Sequence, residues 1–269
     1  MSVEVAVKSV TLPNGVTLQY VEQGDPAGRP VVLLHGVTDS WRSYEPVLPC
    51  LPSHLRVFAI SQRGHGDSSK PEDGYLPRDF AADVAAFLDA VGIDTAVIVG
   101  MSMGSTVAQR FAADYPERVT KLILLAAFYS FADKPELVEF WREAIDPLTD
   151  PVDREFAREF QVSTTAQPIP DDLLETVIDE TMKVPARVWR GVFSGLIDHD
   201  DPNVANQIIA PTLILWGDQD AYGPRSDQET LHEVIPNSRL VIYEGHGHAT
   251  HWEDPARVAK DIVAFIDGD

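Results

Sequence analysis

Apolar positions fall in two rhythms along this chain. Predominantly apolar runs recur at Pro30–Gly36, Arg56–Ser61, Val97–Gly100, Arg118–Ala126, Pro211–Gly217 and Arg239–Tyr243. Short runs of this kind without polar alternation read as strands buried on both faces. Between them the apolar residues switch to helical spacing, as in Phe80, Val84, Leu88 and Val91, a series that stops at Gly92. Strand and helix in alternation predict an α/β fold in which a mostly parallel, eight-stranded sheet carries helices on both faces. The first two strands, Val3–Val10 and Val16–Val21, are expected to be antiparallel. Between them lies Leu12-Pro13-Asn14-Gly15, whose Asn-Gly pair is expected to supply the positive φ angles of a tight hairpin. Trp41–Leu51 reads as a short helix limited by Pro49 and Pro52.

One stretch breaks the rhythm. From Phe128 to about Gln207 helical segments follow one another without strands, at Pro135–Ile145, Pro151–Phe160, Asp171–Met182 and Pro185–Leu196. This predicts a helical cap at 128–207 inserted into a core of residues 1–127 and 208–269. The closing helix carries Val258, Ile262, Phe265 and Ile266 on one face. The cap's aromatic residues give it apolar faces, some of which are expected to roof a pocket against the core.

Composition narrows the partners. The 269 residues carry 42 acidic and 21 basic side chains, a formal charge of -21, spread along the chain and not gathered in a tail. Phosphate neutralisation needs clustered Lys and Arg, so nucleic acid and anionic membrane surfaces are disfavoured. No apolar run approaches the roughly 20 residues of a membrane span, and the opening residues lack a secretory pattern, so a soluble, cytoplasmic protein is expected. The single cysteine, Cys50, rules out an intramolecular disulfide and reads as a structural thiol. No cofactor and no metal are called for, and the acidic turn Asp198-His199-Asp200-Asp201 is not read as a metal site. The oligomeric state is not legible.

Chemistry enters at Gly100-Met101-Ser102-Met103-Gly104. An apolar strand breaks at a glycine, carries one serine and continues as a helix, a strand–turn–helix that lifts the serine clear of the sheet. Its hydroxyl then sits at a helix N-terminus, where free N–H groups favour developing negative charge. A serine hydroxyl is a weak nucleophile and needs a base, which in turn needs an acceptor to fix its tautomer. On a parallel sheet such groups gather at the carboxyl ends of strands. Two later loops qualify: Trp216-Gly217-Asp218-Gln219-Asp220, with two acids, and Glu244-Gly245-His246-Gly247-His248, with two histidines.

From about Leu12 to Phe265 the chain resembles the α/β-hydrolase superfamily. The likeness is carried by His35-Gly36, Gln62-Arg63-Gly64-His65-Gly66-Asp67-Ser68, the Ser102 elbow, Gly217-Asp218-Gln219-Asp220, and Gly247-His248 followed by His251-Trp252-Glu253-Asp254-Pro255. The cap matches least. The resemblance implies Ser102 as nucleophile, His248 over His246 as base, and Asp220 over Asp218 as its acid partner, in the chain order serine, acid, histidine. It implies an oxyanion hole formed by the N–H groups of Met103 and Val37. His251 is expected to pack near the site, and His35 and His65 to brace loops. Pocket candidates are His35, Thr38, Phe128, Phe131, Trp189, Phe193 and Tyr222. The expected activity is hydrolysis of a small carboxylic ester or lactone through an acyl-enzyme. Epoxide hydrolases and haloalkane dehalogenases of the superfamily use an aspartate nucleophile, which Ser102 disfavours. Carbon–carbon bond hydrolases and perhydrolases keep the same triad, and a small-molecule receptor on this fold is the alternative of a different class.

Overall fold

The structure is a computed structural model and describes residues 6–198 and 201–268. Its eight strands form one sheet in the order β1-β2-β4-β3-β5-β6-β7-β8. These are β1 (Val7–Thr11), β2 (Thr17–Gly24), β3 (Arg29–Leu34), β4 (Leu55–Ser61), β5 (Ala96–Met101), β6 (Val119–Leu125), β7 (Thr212–Gly217) and β8 (Ser238–Tyr243). Strand β2 pairs antiparallel with β1 and β4, and the remaining pairs are parallel.

The apolar runs are uniform because each alternate side chain enters a different core. Val32, Leu34, Phe58, Ile60, Ile98, Leu122 and Leu124 face one apolar layer. Val31, Leu33, Val57, Ala59, Val97, Val99, Ile123 and Leu125 face the other. Helices α1 (Pro77–Ala90) and α2 (Met103–Asp114) cover the first layer, through Phe80, Val84, Leu88, Val107 and Phe111. Helix α9 (Pro255–Asp267) covers the second, through Val258, Ile262 and Ile266. Phe265 is only half buried on that helix, and the Lys121 ammonium lies 5.3 Å from its ring centre.

Three local expectations need correction. In the β1–β2 turn only Gly15 has positive φ, at 85°. Asn14 acts through its side chain instead, accepting the Val16 N–H at 3.0 Å and donating to Asp83 at 2.9 Å. The Trp41–Leu51 stretch forms two separate 3₁₀ turns, Trp41–Tyr44 and Leu48–Cys50. Pro46 and Pro49 each lack the N–H that a continuous helix would use. Cys50 is exposed, so it is no buried structural thiol. Of the first expected strand, Val3–Val5 lie outside the described residues.

Between β6 and β7 the chain is helical: α3 (Pro135–Phe140), which continues as a wider π turn over Trp141–Ile145, then α4 (Arg154–Val162), α5 (Asp171–Thr181) and α6 (Ala186–Ile197). Helix α4 opens at an Asp153 side-chain cap instead of at Pro151. Helices α7 (Arg225–Val234) and α8 (Thr250–Glu253) complete the chain around β8. Among the described residues no helix is long and apolar enough to cross a membrane.

Candidate active site

Ser102 stands between β5 and α2 with φ 52° and ψ -120°. A non-glycine residue held at such angles costs on the order of 1–3 kcal/mol and persists only where its surroundings over-determine it. Here they do. Ser102 N–H donates to the Leu125 carbonyl at 3.0 Å, and its own carbonyl accepts from Ser105 N–H at 2.8 Å and Ser105 Oγ at 2.6 Å. The flanking glycines are needed for close approach. A Cβ at Gly100 would collide with the Gly104 carbonyl, and one at Gly104 with the Leu34 carbonyl.

The two later loops come together beside it. His248 Nδ1 lies 2.9 and 2.8 Å from the two carboxylate oxygens of Asp220, whose side chain is fully buried. Asp220 is itself oriented by its own turn, Oδ1 accepting the N–H groups of Tyr222 at 2.8 Å and Gly223 at 3.0 Å. The imidazole sits between the Phe128 ring, 5.8 Å away, and the Tyr222 ring, 5.2 Å away. The rival residues do other work. Asp218 accepts the Gly245 N–H at 2.7 Å and ties the acid loop to the histidine loop, while His246 is held by the Glu244 carbonyl.

The histidine loop is also pinned from the C-terminal side. Glu253 accepts the Gly247 N–H at 2.7 Å with one oxygen and the Gln167 N–H at 2.8 Å with the other. Ala249 N–H donates to the Thr164 carbonyl at 2.8 Å. The His251-Trp252-Glu253-Asp254-Pro255 stretch thereby fastens His248 to the helical layer, and Asp254 caps α9 through the Arg257 N–H.

Ser102, His248, Val37 and Met103 line one cavity of about 640 Å³, counted with its open mouth. Met103 is the first residue of α2, so its N–H has no intrahelical acceptor. Of the pocket candidates, Phe128, Phe131, Phe193 and Tyr222 line the cavity, and His35, Thr38 and Trp189 do not. His35 is a brace: the Gln62 N–H donates to its Nε2 at 3.0 Å, so Nδ1 carries the proton toward the Gly36 carbonyl at 2.7 Å. Burial holds it well below its ordinary pKa, with the neighbouring His65 adding to the effect. Thr38, at φ 69°, turns its hydroxyl to Gln161 and Thr181. Trp189 is fully buried within the helical layer, edge-on to Phe160 and stacked on Phe193.

Sequence reasoning missed Asp39, Phe160, Gln161 and Thr164, all of which line the cavity. The signal was present for three of them. Ala157, Phe160, Gln161 and Thr164 follow the spacing of one helical stripe, and a polar side chain on an apolar stripe calls for a partner. Asp198 accepts from Ser194, and Asp201 lies 3.6 Å from Arg110. His199 and Asp200 of the same acidic turn lie outside the described residues.

A mostly parallel sheet covered on both faces, with a serine elbow and an acid–histidine pair at successive strand ends, defines a protein of the α/β-hydrolase class. The chain belongs to the family described as alpha/beta hydrolase fold, whose family model matches residues 29–169 and 178–255. Lipase 3 of Moraxella sp. is 26% identical over 98% of this chain and 86% of its own. Among solved structures, a membrane phospholipase A aligns with TM-score 0.86 at 29% identity, covering 98% of this chain and 86% of that one. The esterase RhEst1 from Rhodococcus sp. aligns with TM-score 0.83 at 26% identity, covering 100% and 99%.

Proposed function

We propose that this protein is a serine hydrolase that cleaves carboxylic esters or lactones through an acyl-enzyme. Ser102 Oγ attacks the carbonyl carbon, and His248 Nε2 takes the hydroxyl proton and passes it to the leaving alkoxide. Asp220 holds the Nδ1 proton, fixes the tautomer and stabilises the imidazolium. The oxyanion is received by the N–H groups of Val37 and Met103. Water then attacks the acyl carbon as His248 takes its proton, and His248 returns that proton to Ser102 Oγ as the bond to serine breaks and the acid leaves.

The observation that carries this reading is the pairing of His248 Nδ1 with both oxygens of the buried Asp220 side chain, with His248 and the strained Ser102 lining the same cavity. That pairing leaves Nε2 as the ring atom free to serve the serine. The names of the lipase, phospholipase and esterase relatives support an ester bond as the target. Residues 128–207 are taken as a cap over a core of 1–127 and 208–269, since α4 and α6 supply Phe160, Gln161 and Phe193 to a cavity that contains Ser102. The walls are dominated by Phe, Leu, Ile and Met side chains, which favours an apolar acyl or alcohol part.

The test is turnover of p-nitrophenyl esters of graded chain length, and of lactones, by wild type and Ser102→Ala. Multiple turnover that is abolished in the variant supports the reading. Ligand-induced melting shifts without turnover favour a receptor instead.

A further inference from the structure

Asp39 lines the cavity, and the triad chemistry does not use it. Its side chain is buried, with Oδ2 accepting from Ser43 Oγ at 3.0 Å and Oδ1 from Gln161 Nε2 at 3.1 Å. Each carboxylate oxygen has two lone pairs, so neither is saturated by these bonds. A Cβ placed on Gly36 would lie 3.4 Å from Asp39 Oδ2 and 3.3 Å from Ser102 Cβ, so the carboxyl and the serine flank the same glycine. Among the described residues that line the cavity, Asp39 brings a carboxyl and none brings an ammonium or a guanidinium.

We propose that Asp39 is the charge selector of this cavity, admitting substrates whose acyl part is neutral and rejecting those that carry a carboxylate. The proposal rests on the ester-hydrolase reading for its substrates, and on geometry alone for its sign. A carboxylate brought into an apolar cavity loses its hydration, and it meets a like charge with no cation to offset either effect. Gln161 and Ser43 hold the selector in place from two sides, the helical layer and the 3₁₀ turn at Trp41–Tyr44.

The selector is itself titratable. Burial pushes Asp39 from its ordinary 3.8 up to about 7, against the pull of its hydrogen bonds to Ser43 and Gln161. The charges that act on it are His248, which favours ionisation, and Glu180 of α5, which opposes it. Glu180 is paired with Lys183 at 2.9 Å and lies 3.6 Å from Arg42. Tyr44 and His251, the other titratable neighbours, are held neutral by burial. Selectivity against an anionic acyl part therefore sharpens as pH rises through neutrality. A ratio of two substrates cancels pH effects on the catalytic steps that both share.

The experiment compares kcat/KM for mono-p-nitrophenyl adipate and p-nitrophenyl heptanoate at about pH 6 and about pH 8, in wild type and Asp39→Asn. In wild type the adipate-to-heptanoate ratio falls by about ten-fold between the two pH values, mostly through KM. In the variant it is raised by about ten-fold at the higher pH and is flat across the range. The wild-type arm needs no substitution and stands even where the variant fails to fold. A ratio independent of pH in wild type, or unchanged by the substitution, overturns the selector. Absence of turnover with these esters and with the ester and lactone series above refutes the hydrolase reading, and the selector is then read by calorimetry of hexanoate against hexanamide. Preference for the amide that grows with pH supports it, and a pH-independent preference overturns it.

Discussion

Asp220 engages His248 Nδ1 with both of its oxygens, at 2.9 and 2.8 Å, while two backbone N–H groups of its own turn hold the carboxylate still. The carboxylate is thus fixed by its own loop as well as by the imidazole. Asp218, two residues earlier, faces Gly245 N–H instead. Asp220→Asn is expected to lower kcat by about 10³–10⁴ with little change in melting temperature, since the shape is kept and the tautomer is lost. Asp218→Asn is expected to reduce kcat by less than about ten-fold, since it weakens one loop contact. Steady-state kinetics of the two variants side by side decide the assignment, and equal losses would refute it.

How the wall of the cavity is held gives a second expectation. Lys134 Nζ lies 2.8 Å from Asp227 Oδ2, with the two side chains 10% and 7% exposed. Asp227 Oδ2 also accepts the Tyr129 N–H at 2.9 Å, so the segment that carries Phe128 and Phe131 is anchored to α7. Removing one member of a buried pair leaves an uncompensated charge and typically costs about 3–5 kcal/mol. Lys134 also contacts Asp133 and the Ser130 carbonyl, so Asp227→Ala is expected at the lower end of that range. Urea unfolding measures it, and a loss below about 1 kcal/mol would show the anchor to be dispensable.

Acid stability follows from buried histidines. Burial lowers His65 to about 4 and His251 to about 3, the latter with help from the charge of His248, and it holds His35 well below its ordinary value. As pH falls below about 6.5 the unfolded chain takes up protons that the folded chain refuses, so the stability these groups contribute is lost progressively. Asp39 acts in the opposite sense. Its raised pKa gives a contribution that is full below about 3.8 and lost as pH rises to about 7. Burial also raises Asp227, and the three histidines together outweigh the two carboxyls, which predicts a net decline in melting temperature from about pH 6.5 toward pH 4. A midpoint constant over that range would contradict the burial of these rings as neutral species.

Much of this architecture was legible because burial on both faces leaves an unbroken apolar run, as in Val31–Leu34 and Val97–Val99. The Ser102 turn was legible because its backbone angles and close packing impose glycine at fixed positions; strand ends narrowed its partners to two acids and two histidines, and the resemblance to the family singled out Asp220 and His248. The wall was not. Trp189 and Phe160 are both aromatic residues on helical stripes, yet one is buried within the helical layer and the other lines the cavity, a distinction set by helix docking. His35 and Thr38 sit next to cavity residues, but hydrogen bonds to Gln62 and Gln161 draw them elsewhere. Asp39 reads in sequence as one polar residue among four in Thr38-Asp39-Ser40-Trp41-Arg42, and only its place beside Gly36 and Gln161 gives it a role.

The central claim is that Ser102 is an activated nucleophile served by His248. Labelling with a fluorophosphonate, followed by intact mass and peptide mapping, tests it most directly. One adduct per chain is expected, on the peptide that contains Ser102, with none on Ser102→Ala and labelling slowed by orders of magnitude in His248→Ala. An adduct on another residue, or ester turnover that survives Ser102→Ala, would contradict it.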